Sequence, residues 1–292
     1  MTIRHRMGPD RAAAGLGGST RQNGRMALAP VLGLLGVLAI GSALASAGEP
    51  KAKPVYPNGG PPAAVRKPIQ VLLVTGVDYP GHLWQETAPA LAAQLRADPR
   101  IEVRVVDDPH FLDSAAIARY DVIGLHFMNW KESGPGPAAR ENLKRAVEGG
   151  KGLFLVHFAC GAWLDWPEFV QLAGRVWDPR LRGHDPRGAF RVEVAQPEHP
   201  IMRGMTAFDT EDELYTCLSG EAPIEILATA RSKVDQRDYP IAFVLPCGKG
   251  RVFHCVLGHN AQAFQPPAVG ELFRRGTAWA AGQPPVAEQA AP

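Results

Sequence analysis

The chain has 292 residues, 46% hydrophobic and 21% charged, with 31 Lys+Arg against 29 Asp+Glu; this is a globular composition that excludes disorder and collagen-like folds. The slight basic excess is local, since residues 1–47 hold five Arg (Arg4, Arg6, Arg11, Arg21, Arg25) and one acid, Asp10, leaving 26 bases against 28 acids beyond them. Without a cationic face the remainder carries no electrostatic case for nucleic acid, because counterion release needs concentrated positive charge.

Residues 1–47 read as an export leader: an Arg-bearing start, the uncharged stretch from Met26 to Ala47, and Ala45-Ser46-Ala47 as a small-x-small cleavage site. Cleavage after Ala47 is expected, giving a periplasmic or extracellular protein whose only membrane contact would be an uncleaved leader. Residues 48–67 hold five Pro and three Gly and read as an extended tether. A single domain is expected from 68 to 282, followed by a frayed Pro- and Ala-rich tail over 283–292. Cys160, Cys217, Cys247 and Cys255 form no CxxC pair; a structural zinc knuckle is not expected, and the thiols read as mostly free and buried.

Within the domain the apolar pattern predicts a strand over 69–75, a helix over 83–98, strands over 101–107 and 121–127, a helix over 138–150, a strand over 151–158 and a short helix over 166–174. Continuous apolar strands alternating with helices indicate a parallel sheet covered on both faces. Strands over 189–196, 224–231, 240–246 and 251–258 then follow without long helices, with Gly248-Lys249-Gly250 as a hairpin turn, before a closing helix over 268–282.

Ligands of open α/β sheets gather at the carboxyl ends of strands. That rule selects His82 after the first strand, His126 closing DVIGLH, His157 closing GLFLVH and His259 in VLGHN, four of the eight histidines beyond the leader. One such histidine is ordinarily a core residue, whereas four together point to a site. The segment DTEDELY (209–215) adds Asp209, Glu211, Asp212, Glu213 and Tyr215, a dense set of oxygen ligands or acid/base groups in what otherwise reads as an acidic turn before a strand, and RGHDP adds His184 on a loop. Imidazoles plus a carboxylate would suit a divalent metal, Zn²⁺ first, with His82, His157, His259 and Glu213 as ligands. Without a metal, His157 or His259 would act as base and Glu213 as acid. Trp84, Trp130 and Trp163 lie near the same strand ends, where their rings could stack on sugar faces. Cys160 in HFACGAW offers a competing reading, a thiol nucleophile on a sharp strand-to-helix turn. GVDYPG after the first strand has neither GxGxxG nor GKS/GKT, so no nucleotide is expected.

These segments, from VLLVTGVDYPGHLWQET through GLFLVHFACGAW, GRVWDPRLRGHDPRG, HPIMRG, DTEDELYT and GKGRVFHCVLGHN to GTAWAAG, in this order and spacing, resemble the ThuA-like, or trehalose-utilisation, family. The resemblance implies a flavodoxin-like, class I glutamine amidotransferase-like sheet, a role in the metabolism of disaccharides or keto-sugars, and in some members a divalent metal. By position it puts the family's site residues on His82, His157, Glu213, Tyr215 and His259. The chain departs from the amidotransferases at the elbow, where HFACGAW lacks the GxCxG pattern. The expected function is therefore that of an exported carbohydrate-active enzyme with catalytic His157, Glu213 and Tyr215 and with Trp84, Trp130, Trp163 and His184 binding substrate. A non-catalytic sugar-binding or scaffolding domain and a Cys160 thiol hydrolase are the alternatives.

Overall fold

Burial along the apolar runs follows the sequence pattern closely. In the computed structural model, which describes residues 67–131 and 134–286, the run from Val71 to Val74 is fully buried, as a central strand with both faces covered requires. The leader, the tether up to residue 66 and residues 287–292 of the tail lie outside the described residues. Among the described residues no helix is long and apolar enough to cross a membrane.

The elements in chain order are β1 (Ile69–Val74), α1 (Trp84–Arg96), β2 (Ile101–Val106), β3 (Val122–Leu125), α2 (Pro137–Glu148), β4 (Gly152–Val156), α3 (Phe169–Ala173), β5 (Val176–Trp177), β6 (Gly188–Val194), β7 (Phe208–Asp212), β8 (Leu218–Ser219), β9 (Glu225–Arg231), β10 (Asp238–Cys247), β11 (Gly250–Cys255) and α4 (Pro267–Ala280). Nine strands form one sheet in the order β2-β1-β3-β4-β11-β10-β9-β6-β7, while β5 and β8 pair separately. The first five of that order are parallel; from β11 outward each pair is antiparallel. β11 is thus the seam between an α/β half and a meander half. Four antiparallel steps restore the original direction, so β7 at the far edge ends on the same side of the sheet as β1, β3, β4 and β11.

Two apolar layers sandwich the parallel half. Val71 and Leu73 pack with Leu91, Leu95, Leu272 and Phe273 of α1 and α4, and Leu72, Ile123 and Leu125 pack with Leu143 and Val147 of α2 and Phe169 of α3. Each such fully buried Leu, Val or Phe contributes about 1.5–3 kcal/mol. The β10–β11 hairpin turns through Gly248, whose φ of 56 supplies the left-handed residue at the first central position that matches strand twist.

Three details differ from the sequence pattern. The strands expected over 121–127 and 151–158 end early, at Leu125 and Val156, leaving His126 and His157 just beyond them. Most of DTEDELY is strand, not turn: β7 alternates, with Thr210 and Asp212 inward and Asp209 and Glu211 paired outward to Arg191 and Arg187. An inward acid masked that period-2 signal. The start of the tail is held, since Arg100 donates to the carbonyls of Pro284 and Pro285 at 2.8 and 3.3 Å.

Candidate active site and metal centre

Each strand end delivers its side chain by a different local device. After β1 a turn closes from the His82 N–H to the Tyr79 carbonyl at 2.9 Å, with Pro80 and Gly81 between them supplying ordinary turn chemistry. After β4 the chain turns sharply into a 3-10 helix over His157–Gly161, and His157 itself takes φ 45. A left-handed non-glycine residue costs about 1–2 kcal/mol and marks a constrained position. The strained elbow residue is therefore His157. Cys160 lies three residues further on, fully buried in the core, its thiol pushed well up by that burial; it has no access to a substrate and the elbow does not expose it.

Glu213 follows directly on β7, and Asp212 fixes it there. The Asp212 carboxylate, 1% exposed, accepts from the N–H of Glu213 at 2.8 Å, of Gly258 at 2.7 Å and of His259 at 3.1 Å. One buried acid thus joins the edge strand to the loop after β11 and sets two site residues at once. Burial pushes the Asp212 carboxyl above the ordinary range despite the nearby His157 and those N–H groups.

Four imidazoles converge on Glu213. His157 Nε2 lies 3.5 Å and His259 Nδ1 3.1 Å from Oε2, while His184 Nε2 lies 3.7 Å from Oε1. His82 completes the cluster, with ring centroids 4.9 Å from His157 and 5.1 Å from His259. One donor atom from each of His82, His157, Glu213 and His259 falls within 4.8 Å of the others. His157 donates Nδ1–H to the Val256 carbonyl at 2.6 Å, which turns its Nε2 to the cluster, the arrangement by which outer-shell carbonyls orient ligating histidines. His82 Nδ1, His157 Nε2 and His259 Nδ1 are buried without a hydrogen-bond partner, although such groups are ordinarily satisfied. An ion held between these nitrogens and the carboxylate would give each of them a partner, so these residues could hold a metal ion.

Burial first, then His157 and His259, hold His82 down to about 2, so the ring is neutral and ligand-ready. Burial alone would raise the Glu213 carboxyl, but His157 and His259 outweigh it and hold it below the ordinary range. Tyr215, its ring 4.3 Å from His157, is kept protonated by burial.

The cavity over the cluster has a volume of about 240 Å³, and its lining includes Tyr79, Trp130, Trp177, His184 and Tyr215 as well as His82, Glu213 and His259. Of the residues singled out from sequence, the structure gathers His82, His157, His184, Glu213, Tyr215, His259 and Trp130, whose indole donates to the Gly161 carbonyl at 2.7 Å. Gly161 is required there, because a Cβ would come within 2.8 Å of that indole. Three others lie apart. His126 is buried behind Phe158 and bonded to Thr75 at 3.0 Å. Trp84 is bonded to Asp78 at 2.7 Å on α1, and Trp163 is buried with its indole on the Pro135 carbonyl. Sequence reasoning missed Tyr79 and Trp177, and it offered Asp212 as a ligand or acid/base group where the structure makes it the residue that positions Glu213 and His259. Tyr79 shares the His82 loop and could have been found with it; Trp177 sits on the two-residue β5, too short for any periodic signal.

A mixed α/β sheet with a polar cavity at the carboxyl ends of its parallel strands defines a protein of the open α/β class, consistent with a glutamine amidotransferase-like fold. The chain belongs to the ThuA family, described as trehalose utilisation, whose profile matches residues 70–280, and that membership gives it a carbohydrate-related role. Among solved structures it is similar to a ThuA-like protein of Parabacteroides merdae, at 24% identity and TM-score 0.67 over 77% of this chain and 94% of that one. It is also similar to a ThuA-like protein of Bacteroides uniformis, at 19% identity and TM-score 0.60 over 78% and 99%. A cytoplasmic protein of Salmonella typhimurium shares the fold at 13% identity and TM-score 0.51 over 72% and 99%. No curated protein matches the chain.

Proposed function

We propose that this protein is an exported enzyme that performs acid–base chemistry on a disaccharide or keto-sugar at the His/Glu cavity, with a divalent metal, Zn²⁺ first, held by His82, His157, His259 and Glu213. The observation that carries this reading is the convergence of three buried, unpartnered imidazole nitrogens on one carboxylate. Three imidazoles and a carboxylate are a donor set that suits Zn²⁺, and such an ion supplies Lewis-acid polarisation of a carbonyl or hydroxyl oxygen. The chain's own groups divide the remaining work. Asp212 keeps Glu213 and His259 in register. His184 donates Nδ1–H to the Asp185 carbonyl at 2.8 Å, which leaves Nε2 at the cavity mouth as a proton acceptor. The Tyr215 hydroxyl, protonated at neutral pH, is a hydrogen-bond donor for a sugar oxygen. Trp130 and Trp177, 5.1 Å apart, give the apolar wall on which a sugar face stacks. Export rests on the leader-like residues 1–47.

Elemental analysis of the purified protein against the His82/His157/His259→Ala triple variant, shown folded by circular dichroism, tests this. Near-stoichiometric metal in the parent and none in the variant is expected. Absence of metal from both after reconstitution with Zn²⁺, Mn²⁺ and Ni²⁺ overturns the metal assignment.

A further inference from the structure

A second concavity adjoins the first. It has a volume of about 290 Å³ and shares one lining residue, Trp177, with the His/Glu cavity. We propose that this cleft is a subsite for the flat-faced aglycone ring of a glycoside whose sugar occupies the His/Glu cavity. The inference rests on the sugar reading of that cavity given above.

Size carries the first step. At about 240 Å³ the cavity lies below the roughly 300–1,000 Å³ of pockets that bury a multi-ring ligand, so anything larger than one ring must leave it, and the cleft beyond Trp177 is where the adjoining space lies. Chemistry carries the second. Trp166 lies stacked at 5.7 Å on Phe169, Leu164 is 50% exposed beside it, and Pro179 closes the far side. The polar group of the cleft is already satisfied: Asp178 accepts from the Arg180 N–H, Nε and guanidinium at 2.7–3.0 Å and from the Ser219 hydroxyl at 3.2 Å. Aromatic and aliphatic side chains on one side of the cleft and the exposed Arg180 beside Asp178 and Ser219 on its lining suit a ring with one apolar face and a polar rim. Pre-organisation carries the third, since the Arg140 guanidinium, 5.8 Å over the Trp166 ring and ion-paired with Asp165, holds that indole in place before any ligand arrives.

An aromatic aglycone and the face of a second sugar share this chemistry, and three probes separate them. Isothermal titration of the full chain with methyl α-D-glucoside, phenyl α-D-glucoside and trehalose is expected to show at least one two-ring compound binding roughly tenfold tighter than the methyl glucoside. Preference for the phenyl compound alone assigns an aromatic aglycone, and preference for trehalose a second sugar; either supports the subsite. Leu164→Asp, at a half-exposed position that tolerates charge, and Trp166→Ala are each expected to abolish the preference while leaving methyl glucoside affinity unchanged. Equal affinity for all three compounds, or a preference surviving in both variants, overturns the subsite and leaves the sugar cavity standing. Binding of none overturns the subsite. Loss of self-association in Leu164→Asp at unchanged affinities overturns it too, by assigning the cleft to a contact between copies.

Discussion

His157 shows how much one residue can be asked to do. Its left-handed φ of 45 is a conformation that Asn tolerates better than His, and its ring is held by the Val256 carbonyl and turned towards Glu213. His157→Asn is therefore expected to keep the metal-free unfolding free energy within about 1 kcal/mol of the parent, while weakening metal affinity by more than the 10–100-fold typical of outer-shell changes. Competition with a chelator and a thermal scan measure the two effects; an equal loss of both would make His157 structural. His157 was legible from sequence as a strand-end histidine. Its strain was not, because backbone strain arises from what the neighbouring strands fix, and the sequence around it directed suspicion to Cys160 instead.

At the scale of elements the decisive contact is between β7 and the loop after β11, made through Asp212. Asp212→Asn keeps the volume but replaces one acceptor by an NH₂ that faces a backbone donor, Gly258 or His259. Metal affinity is expected to fall roughly 10–100-fold with the fold retained, as read by calorimetric titration with Zn²⁺ beside circular dichroism. Affinity unchanged in the folded variant would show that Glu213 and His259 hold their places without it. The parallel half was legible in the apolar runs and helices, since continuous burial produces a continuous signal. The acid-rich strand β7 and the two-residue β5 were not, because one alternates with a buried carboxylate and the other is a pairing set by its partner.

For the molecule as a whole, burying neutral imidazoles couples stability to pH. His254 on β11, fully buried with Nδ1–H donated to the Ala173 carbonyl, is brought down by burial from 6.5 to about 4. Both states are neutral above pH 6.5; between 6.5 and 4 only the unfolded chain takes the proton, so stability falls by about 3 kcal/mol across that window from this residue alone. His254→Phe, packing against Phe243 as the imidazole does, is expected to flatten the decline in urea midpoint between pH 7 and pH 4.5; an unchanged slope would place the acid sensitivity elsewhere. The chain by itself determined the α/β class, the order of its main elements and the residue types at the strand ends, because period and apolar content are local properties of the sequence. Only the tertiary structure decided that His82, His157 and His259 meet Glu213 while His126 does not, that Asp212 fastens the cluster, and that Trp177 lines two cavities. Those relations join residues far apart in the chain through the register and closure of the sheet, which no local pattern encodes.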